Sequence, residues 1–126
     1  MTGPSNVNYR ANLLALKNAG VNLIVVTTAC GSLNENYKPG DLVILDDFID
    51  RTTKREKTYY DGTRPEFSRI CHIPMYPAFS TELRQLLIET CESIPNLSYH
   101  KTGKYINTQL FSIQINKKII FFQVQW

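Results

Sequence analysis

No apolar run in this 126-residue chain approaches the ~20 residues a helix needs to cross a bilayer, so no membrane span is expected. The opening residues, Met1-Thr2-Gly3-Pro4-Ser5-Asn6, hold neither a basic leader nor an apolar signal core, and secretion is not expected. Cysteine is sparse. Cys30, Cys71 and Cys91 are odd in number and lack the close paired spacing of a tetrahedral zinc site, which points to buried thiols and to no bound metal. Charge of one sign is also in short supply. Fourteen basic against eleven acidic side chains leave a net charge of +3, too little for a nucleic-acid footprint unless it is concentrated. Internal repeats and low-complexity segments are missing as well, which excludes a repeat array.

What is present alternates between helical and strand patterns in a length that suits one domain. A helix is predicted from Val7 to Ala19, entered after Pro4-Ser5-Asn6 and stopped at Gly20. Val21 to Thr27 is a continuous β-branched and apolar stretch, the pattern of a strand buried on both faces of a parallel sheet. Asn34 to Gly40 reads as a polar turn closed by Pro39-Gly40, and Leu42-Val43-Ile44-Leu45 as a second buried strand ending in Asp46-Asp47. Residues 51–79 look irregular, punctuated by Asp61-Gly62, Pro65, Pro74 and Pro77; a compact domain tolerates so long a loop mainly for function. A second helix should run from Thr81 to Ser93 with Ser80 as its N-cap, ending before Pro95 and covering the sheet with Leu83, Leu86, Leu87, Cys91 and Ile94. The fold class is therefore α/β, a mostly parallel sheet flanked by helices.

From Gln109 onward the chain alternates polar and apolar residues at strand period around Asn116-Lys117-Lys118, the pattern of a hairpin or of an aggregation-prone segment.

The strongest chemical signal is Thr27-Thr28-Ala29-Cys30-Gly31-Ser32, which follows Leu23-Ile24-Val25-Val26. Small residues just beyond a strand end let an anion approach backbone N–H groups, at the place where open α/β sheets bind ligands. A phosphate site and an ordinary Gly-containing turn both satisfy this pattern. Six basic residues between Arg51 and Arg69, with Tyr59, Tyr60 and Phe67 interleaved, read either as a polyphosphate grip or as a solvated loop whose field is broken by Glu56, Asp61 and Glu66. Cys71-His72 pairs a nucleophile with a base only in sequence, since neighbours in extended chain face opposite ways. Asp46, Asp47 and Asp50 are expected to face solvent at a strand end, and Met75 and Tyr76 to pack.

Val7-Asn8-Tyr9-Arg10-Ala11-Asn12, Thr27 to Leu33, Pro39-Gly40-Asp41-Leu42-Val43-Ile44, Phe48-Ile49-Asp50-Arg51-Thr52-Thr53, Tyr60-Asp61-Gly62 and Cys71-His72-Ile73-Pro74-Met75, in that order, closely resemble 5'-methylthioadenosine phosphorylases. The resemblance runs from about Pro4 to Ile106, so residues 4–106 would be the central part of a nucleoside phosphorylase domain and 107–126 a divergent tail. It implies phosphorolysis of 5'-methylthioadenosine to adenine and 5-methylthioribose 1-phosphate in methionine and purine salvage, with inorganic phosphate as co-substrate and no cofactor. Thr28 would offer its hydroxyl and Ala29 its N–H to phosphate. His72 matches a position that lines the 5'-methylthio pocket of a neighbouring subunit, which implies a homotrimer.

General purine nucleoside phosphorylases, which carry an Asn-Ala-Ala-Gly-Gly type motif where this chain has Thr27 to Gly31, are the second family reading. The resemblance also implies a cytoplasmic location, with the nucleus as a second, and no nucleic-acid or membrane partner. Against the family pattern, a Gly-rich loop and an Arg-His pair have no counterpart before Met1. Leu110-Phe111-Ser112-Ile113 stand where a Gly-Pro-Arg-Phe segment is expected, and the later Met-Thr pair and base-recognising aspartates have no counterpart. The resemblance therefore implies a partial chain without a base site, for which no catalytic residue is assigned and catalysis alone is not expected. A non-catalytic role in contact with full-length subunits, and nucleic-acid binding by the loop between Arg51 and Arg69, are the readings from other classes.

Overall fold

The computed structural model describes residues 3–108 together with the backbone of residues 118–125. After a 3-10 turn at Pro4–Asn6, helix α1 spans Tyr9–Asn18, within the predicted Val7 to Ala19. Its end is set by Gly20, whose φ of +81° lets the Gly20 N–H reach the Lys17 carbonyl at 2.9 Å and the Val21 N–H the Leu16 carbonyl at 3.1 Å. That double closure satisfies two carbonyls that the last turn would otherwise leave open.

Strands β1 (Leu23–Cys30), β2 (Leu42–Ile44), β4 (Tyr99–His100) and β6 (Lys118–Gln125) form a sheet in the order β1-β6-β2-β4. β2 runs parallel to both β4 and β6, and β1 pairs antiparallel with β6 from Leu23 opposite Gln125 to Cys30 opposite Lys118. Strands β3 (Asp47–Asp50) and β5 (Lys104–Asn107) make a separate parallel pair with Phe48 opposite Tyr105. Three of the four pairings are thus parallel, in keeping with the expected α/β fold with mostly parallel strands. The segment that would form the hairpin with Lys118-Gln125 lies outside the described residues, as do Asn116 and Lys117 of its turn.

Helix α2 occupies Thr81–Ser93 as predicted, and the Ser80 hydroxyl accepts the Leu83 N–H at 3.3 Å. It packs on β2 and closes a small core in which Val43, Leu45 and Phe79 are buried against Cys30, Tyr37, Phe48, Ala78 and Tyr105. Phe48 and Phe79 meet edge to face at 6.3 Å between ring centroids, a favoured aromatic geometry. The predicted apolar face of α2 needs correction: Leu83 and Cys91 are buried, but Leu86 is 56% exposed, and Ile94 has left the helix and is also exposed. At about 100° per residue, Leu83, Leu87 and Cys91 fall on one stripe, whereas Leu86 lies on the opposite side of Leu83 from the other two.

β1 is also unlike the prediction. It begins two residues later than Val21 and runs on to Cys30, and it is not buried on both faces: Leu23, Val25 and Val26 are exposed, and α1 buries no residue that would cover them. The polar turn before β2 forms as expected, with the Asn36 N–H on Asn34 Oδ1 at 3.0 Å, the Asp41 N–H on the Lys38 carbonyl at 3.1 Å, and Gly40 at φ +94°. Among the described residues, no helix is long and apolar enough to cross a membrane.

Candidate functional site

Thr27, Thr28, Ala29 and Cys30 belong to β1 rather than to a turn beyond it, so only Gly31 and Ser32 of the motif follow the strand. Thr28 is half-buried opposite Ile120, and Ala29 is exposed opposite Ile119. Among the described residues β1 is the outer strand of its sheet, paired with β6 on one side. Backbone groups on successive residues of a strand point to alternate edges, so the other edge of this segment presents N–H groups to whatever lies beside it. Past the strand the chain is drawn in by Ser32, whose hydroxyl donates to the Asn34 carbonyl at 2.7 Å and accepts the Asn34 N–H at 3.0 Å. The result is a short, small-residue corner at a strand end, compatible with an anion.

His72 stands elsewhere, exposed in the long loop, and its neighbours Ile70, Ile73, Met75 and Tyr76 are exposed with it, at 87%, 63%, 60% and 85%. Met75 and Tyr76 therefore do not pack as predicted. A run of apolar side chains around a histidine, directed away from the core of its own chain, is the composition of a contact surface. Cys71 is likewise exposed, and Cys30 half-buried, so of the three thiols only Cys91 is buried as expected; burial pushes its thiol above the ordinary value.

The three aspartates after β2 have separate fates. Asp47 accepts the Phe48 N–H at 2.8 Å and pairs with Lys104 at 3.3 Å; the N–H bond first and the lysine second hold its carboxyl below the usual carboxylate range. Asp50 accepts the Thr52 N–H at 2.9 Å and pairs with Lys57 at 3.1 Å. Asp46 departs from the solvent-facing expectation, since its Oδ1 is buried without a hydrogen-bond partner among the described residues.

Two clusters escaped the sequence reading. In the first, the Arg10 guanidinium reaches Glu56, Asp61 Oδ2 at 2.5 Å and the Thr58 carbonyl at 2.8 Å, while the Tyr59 hydroxyl donates to the Arg10 carbonyl at 2.7 Å. Asp61 is held well below the usual carboxylate range, first by the Thr63 hydroxyl and N–H and then by Arg10. These bonds fasten the basic loop to α1 and enclose a cavity of about 470 Å³ whose lining includes neither Thr28, Ala29 nor His72. In the second, buried Asp41 accepts from Ser98 Oγ at 2.7 Å and the Lys38 N–H at 2.7 Å and lies 2.9 Å from His100 Nε2. The only signal for the first cluster was the position of Arg10 within a segment that carried the resemblance; the second joins residues 57 and 59 positions apart, with no local pattern to mark it. Among the described residues, no group of three or more His, Cys, Asp or Glu side chains is placed to hold a metal.

A mixed α/β chain with a small-residue corner at a strand end is the setting in which the comparison with known proteins falls. The sequence pattern of the phosphorylase superfamily matches residues 1–123, and the chain belongs to that superfamily. Within it, the chain is similar to S-methyl-5'-thioadenosine phosphorylases from several animals. An S-methyl-5'-thioadenosine phosphorylase from Ciona intestinalis is 49% identical over 106 residues, covering 84% of this chain and 38% of its own length. One from Drosophila pseudoobscura pseudoobscura is 53% identical over 98 residues, covering 78% of this chain and 34% of its own length. Among solved structures, the methylthioadenosine phosphorylase from Schistosoma mansoni in complex with adenine superposes with a TM-score of 0.74 at 38% identity, over 87% of this chain and 46% of that one. The same enzyme in its apo form gives 0.73 at 36% identity, over 88% and 46%. The chain thus spans little more than a third of the length of these curated relatives.

Proposed function

We propose that this chain is the central part of a phosphorylase that cleaves S-methyl-5'-thioadenosine with inorganic phosphate, residues 4–106 forming the family domain and 107–126 a divergent tail. In that reaction a phosphate oxygen bonds to the anomeric carbon of methylthioribose as the bond from that carbon to adenine breaks. Adenine leaves as the neutral base, the proton it gains being matched by the one hydrogen phosphate gives up, and 5-methylthioribose 1-phosphate remains. Charge develops on the sugar as a cation-like ring, so the useful work of a protein here is to place phosphate against that carbon and to stabilise charge.

Thr28 and Ala29 are the proposed phosphate ligands, the first through its hydroxyl and the second through its N–H. The observation that carries the reading is the small-residue corner at the end of β1, in a chain whose similar proteins are S-methyl-5'-thioadenosine phosphorylases. His72 is the proposed wall of the 5'-methylthio pocket of a neighbouring subunit in a homotrimer. Its support is the exposure of His72 within the apolar run from Ile70 to Tyr76, which leaves the imidazole and its neighbours available to another subunit. No cofactor beyond phosphate is part of the proposal, and the proposed location is cytoplasmic.

These 126 residues supply no group to which base recognition is assigned, so turnover by them alone is expected to be undetectable while phosphate binding persists. The test is a ³¹P line-broadening titration of the purified chain with inorganic phosphate, beside an adenine-release assay in a preparation free of host phosphorylase. Broadening that Thr28→Val reduces supports the assignment. A Thr28→Val chain that broadens phosphate as the parent does would remove Thr28 from the site, and measurable adenine release would overturn the expectation of inactivity. A non-catalytic role in contact with full-length subunits is favoured by the same exposed run around His72. Co-purification with a full-length relative, lost on His72→Asp, would support that role.

A further inference from the structure

We propose that the cavity between the start of α1 and the basic loop is a second anion site, suited to a phosphate monoester with a flat apolar body and separate from the corner at Thr28. The cavity holds about 470 Å³, within the usual range for small-molecule sites. Its acidic lining consists of Glu56 and Asp61, and Arg10 engages both, with Asp61 further bonded by the Thr63 N–H at 3.0 Å and hydroxyl at 2.6 Å. The acids are therefore satisfied from within.

Lys54, Arg55 and Arg64 line the same space. Among the described residues none of the three forms an ion pair, and Arg55 Nε is buried with no hydrogen-bond partner. A buried, unpartnered guanidinium nitrogen is costly unless an acceptor arrives, and a phosphate oxygen is a strong one. The Arg55 guanidinium is itself steadied over the Tyr9 ring, 4.9 Å from its centroid. Phe67 adds an aromatic wall, held by Tyr59 at 5.5 Å and Tyr60 at 5.7 Å between ring centroids. Cations and aromatic rings lining one space favour a ligand that carries an anionic group on a planar body. A nucleic acid would need a continuous basic track, which Glu56 and Asp61 interrupt.

The probe is phenyl phosphate, titrated into the purified 126-residue chain and followed by NMR shifts of the Tyr and Phe ring protons, with inorganic phosphate in parallel. Expected are saturable shifts, weaker binding of inorganic phosphate, and a loss of affinity of about tenfold or more in Lys54→Ala/Arg64→Ala, which removes two exposed side chains that form no ion pair among the described residues. Thr28→Val, which alters the other anion site, should leave in place the saturable ring-proton shifts that phenyl phosphate causes at Tyr9, Tyr59 and Phe67. Shifts that do not saturate, an unaltered affinity in the double variant, or loss of binding on Thr28→Val instead would each overturn the proposal.

Discussion

His100 Nε2 lies 2.9 Å from Asp41 Oδ2, fastening β4 to the residue just before β2. Asp41 is buried, and its carboxyl is held well below the usual range first by the bond to His100, then by Ser98 Oγ and the Lys38 N–H. A carboxyl whose folded pKa lies below its unfolded value adds stability that is fully present above the unfolded value and is lost as pH falls toward the folded one. Urea midpoints should therefore hold steady near neutrality and decline below about pH 4. Asp41→Asn, which cannot titrate, should lower the neutral midpoint and flatten the acid decline in part, because Asp47 and Asp61 are shifted the same way. Equal acid slopes in parent and variant would show that the pair does not govern the acid limb.

Gly103 tests the tightness of the core from the other side of β2. A Cβ at this position would sit well inside van der Waals contact with Val43 Cγ1, and Val43 is buried. Gly103→Ala should cost about 1–3 kcal/mol in urea unfolding through overpacking. Val43→Ala in the same chain should recover part of that loss, since the two side chains would share one space and their effects should not add. Strictly additive losses would show that the clash is relieved elsewhere.

Two leucines one turn apart on α2 separate the buried stripe from the exposed one. Leu83 is 8% exposed and Leu86 56%. Leu83→Ala is expected to cost about 2–5 kcal/mol, and Leu86→Ala no more than about 0.5 kcal/mol. Comparable losses at the two positions would place an undetected partner on the Leu86 face.

That contrast also shows what sequence pattern can carry. The bounds of α2 were legible because local chemistry sets them, a Ser80 hydroxyl at one end and Pro95 beyond the other. The turn into β2 was legible for the same reason, through Asn34 and Gly40. The orientation of α2 was not, because apolar spacing alone admitted Leu86 and Ile94 to a face that β2 selects around Leu83, Leu87 and Cys91. β1 was ended early for a related reason. Thr27 to Cys30 look like the approach to a turn, yet pairing with residues 118–121 keeps them extended. The proposed phosphate corner was visible as small residues after an apolar run, whereas the Arg10 and Asp41 clusters depend on contacts across 46 to 59 residues.

Arg10 is the residue on which the basic loop turns. Its guanidinium meets Glu56, Asp61 and the Thr58 carbonyl, and its own carbonyl accepts the Tyr59 hydroxyl. Exposed ion pairs contribute little singly, but several converging on one guanidinium hold a segment of backbone in one arrangement. Arg10→Met keeps much of the aliphatic stem and removes the donors, so amide exchange should quicken across Glu56 to Thr63 while the amides of α2 keep their protection. Arg10→Lys should not restore it, because an ammonium cannot span two carboxylates and a carbonyl in the plane of a fork. Freed of Arg10, Glu56 and Asp61 would also turn their charge on the cavity, so phenyl phosphate should bind Arg10→Met more weakly than the parent chain. Unchanged exchange in the loop would mean that the aromatic cluster of Tyr59, Tyr60 and Phe67 holds it without the arginine.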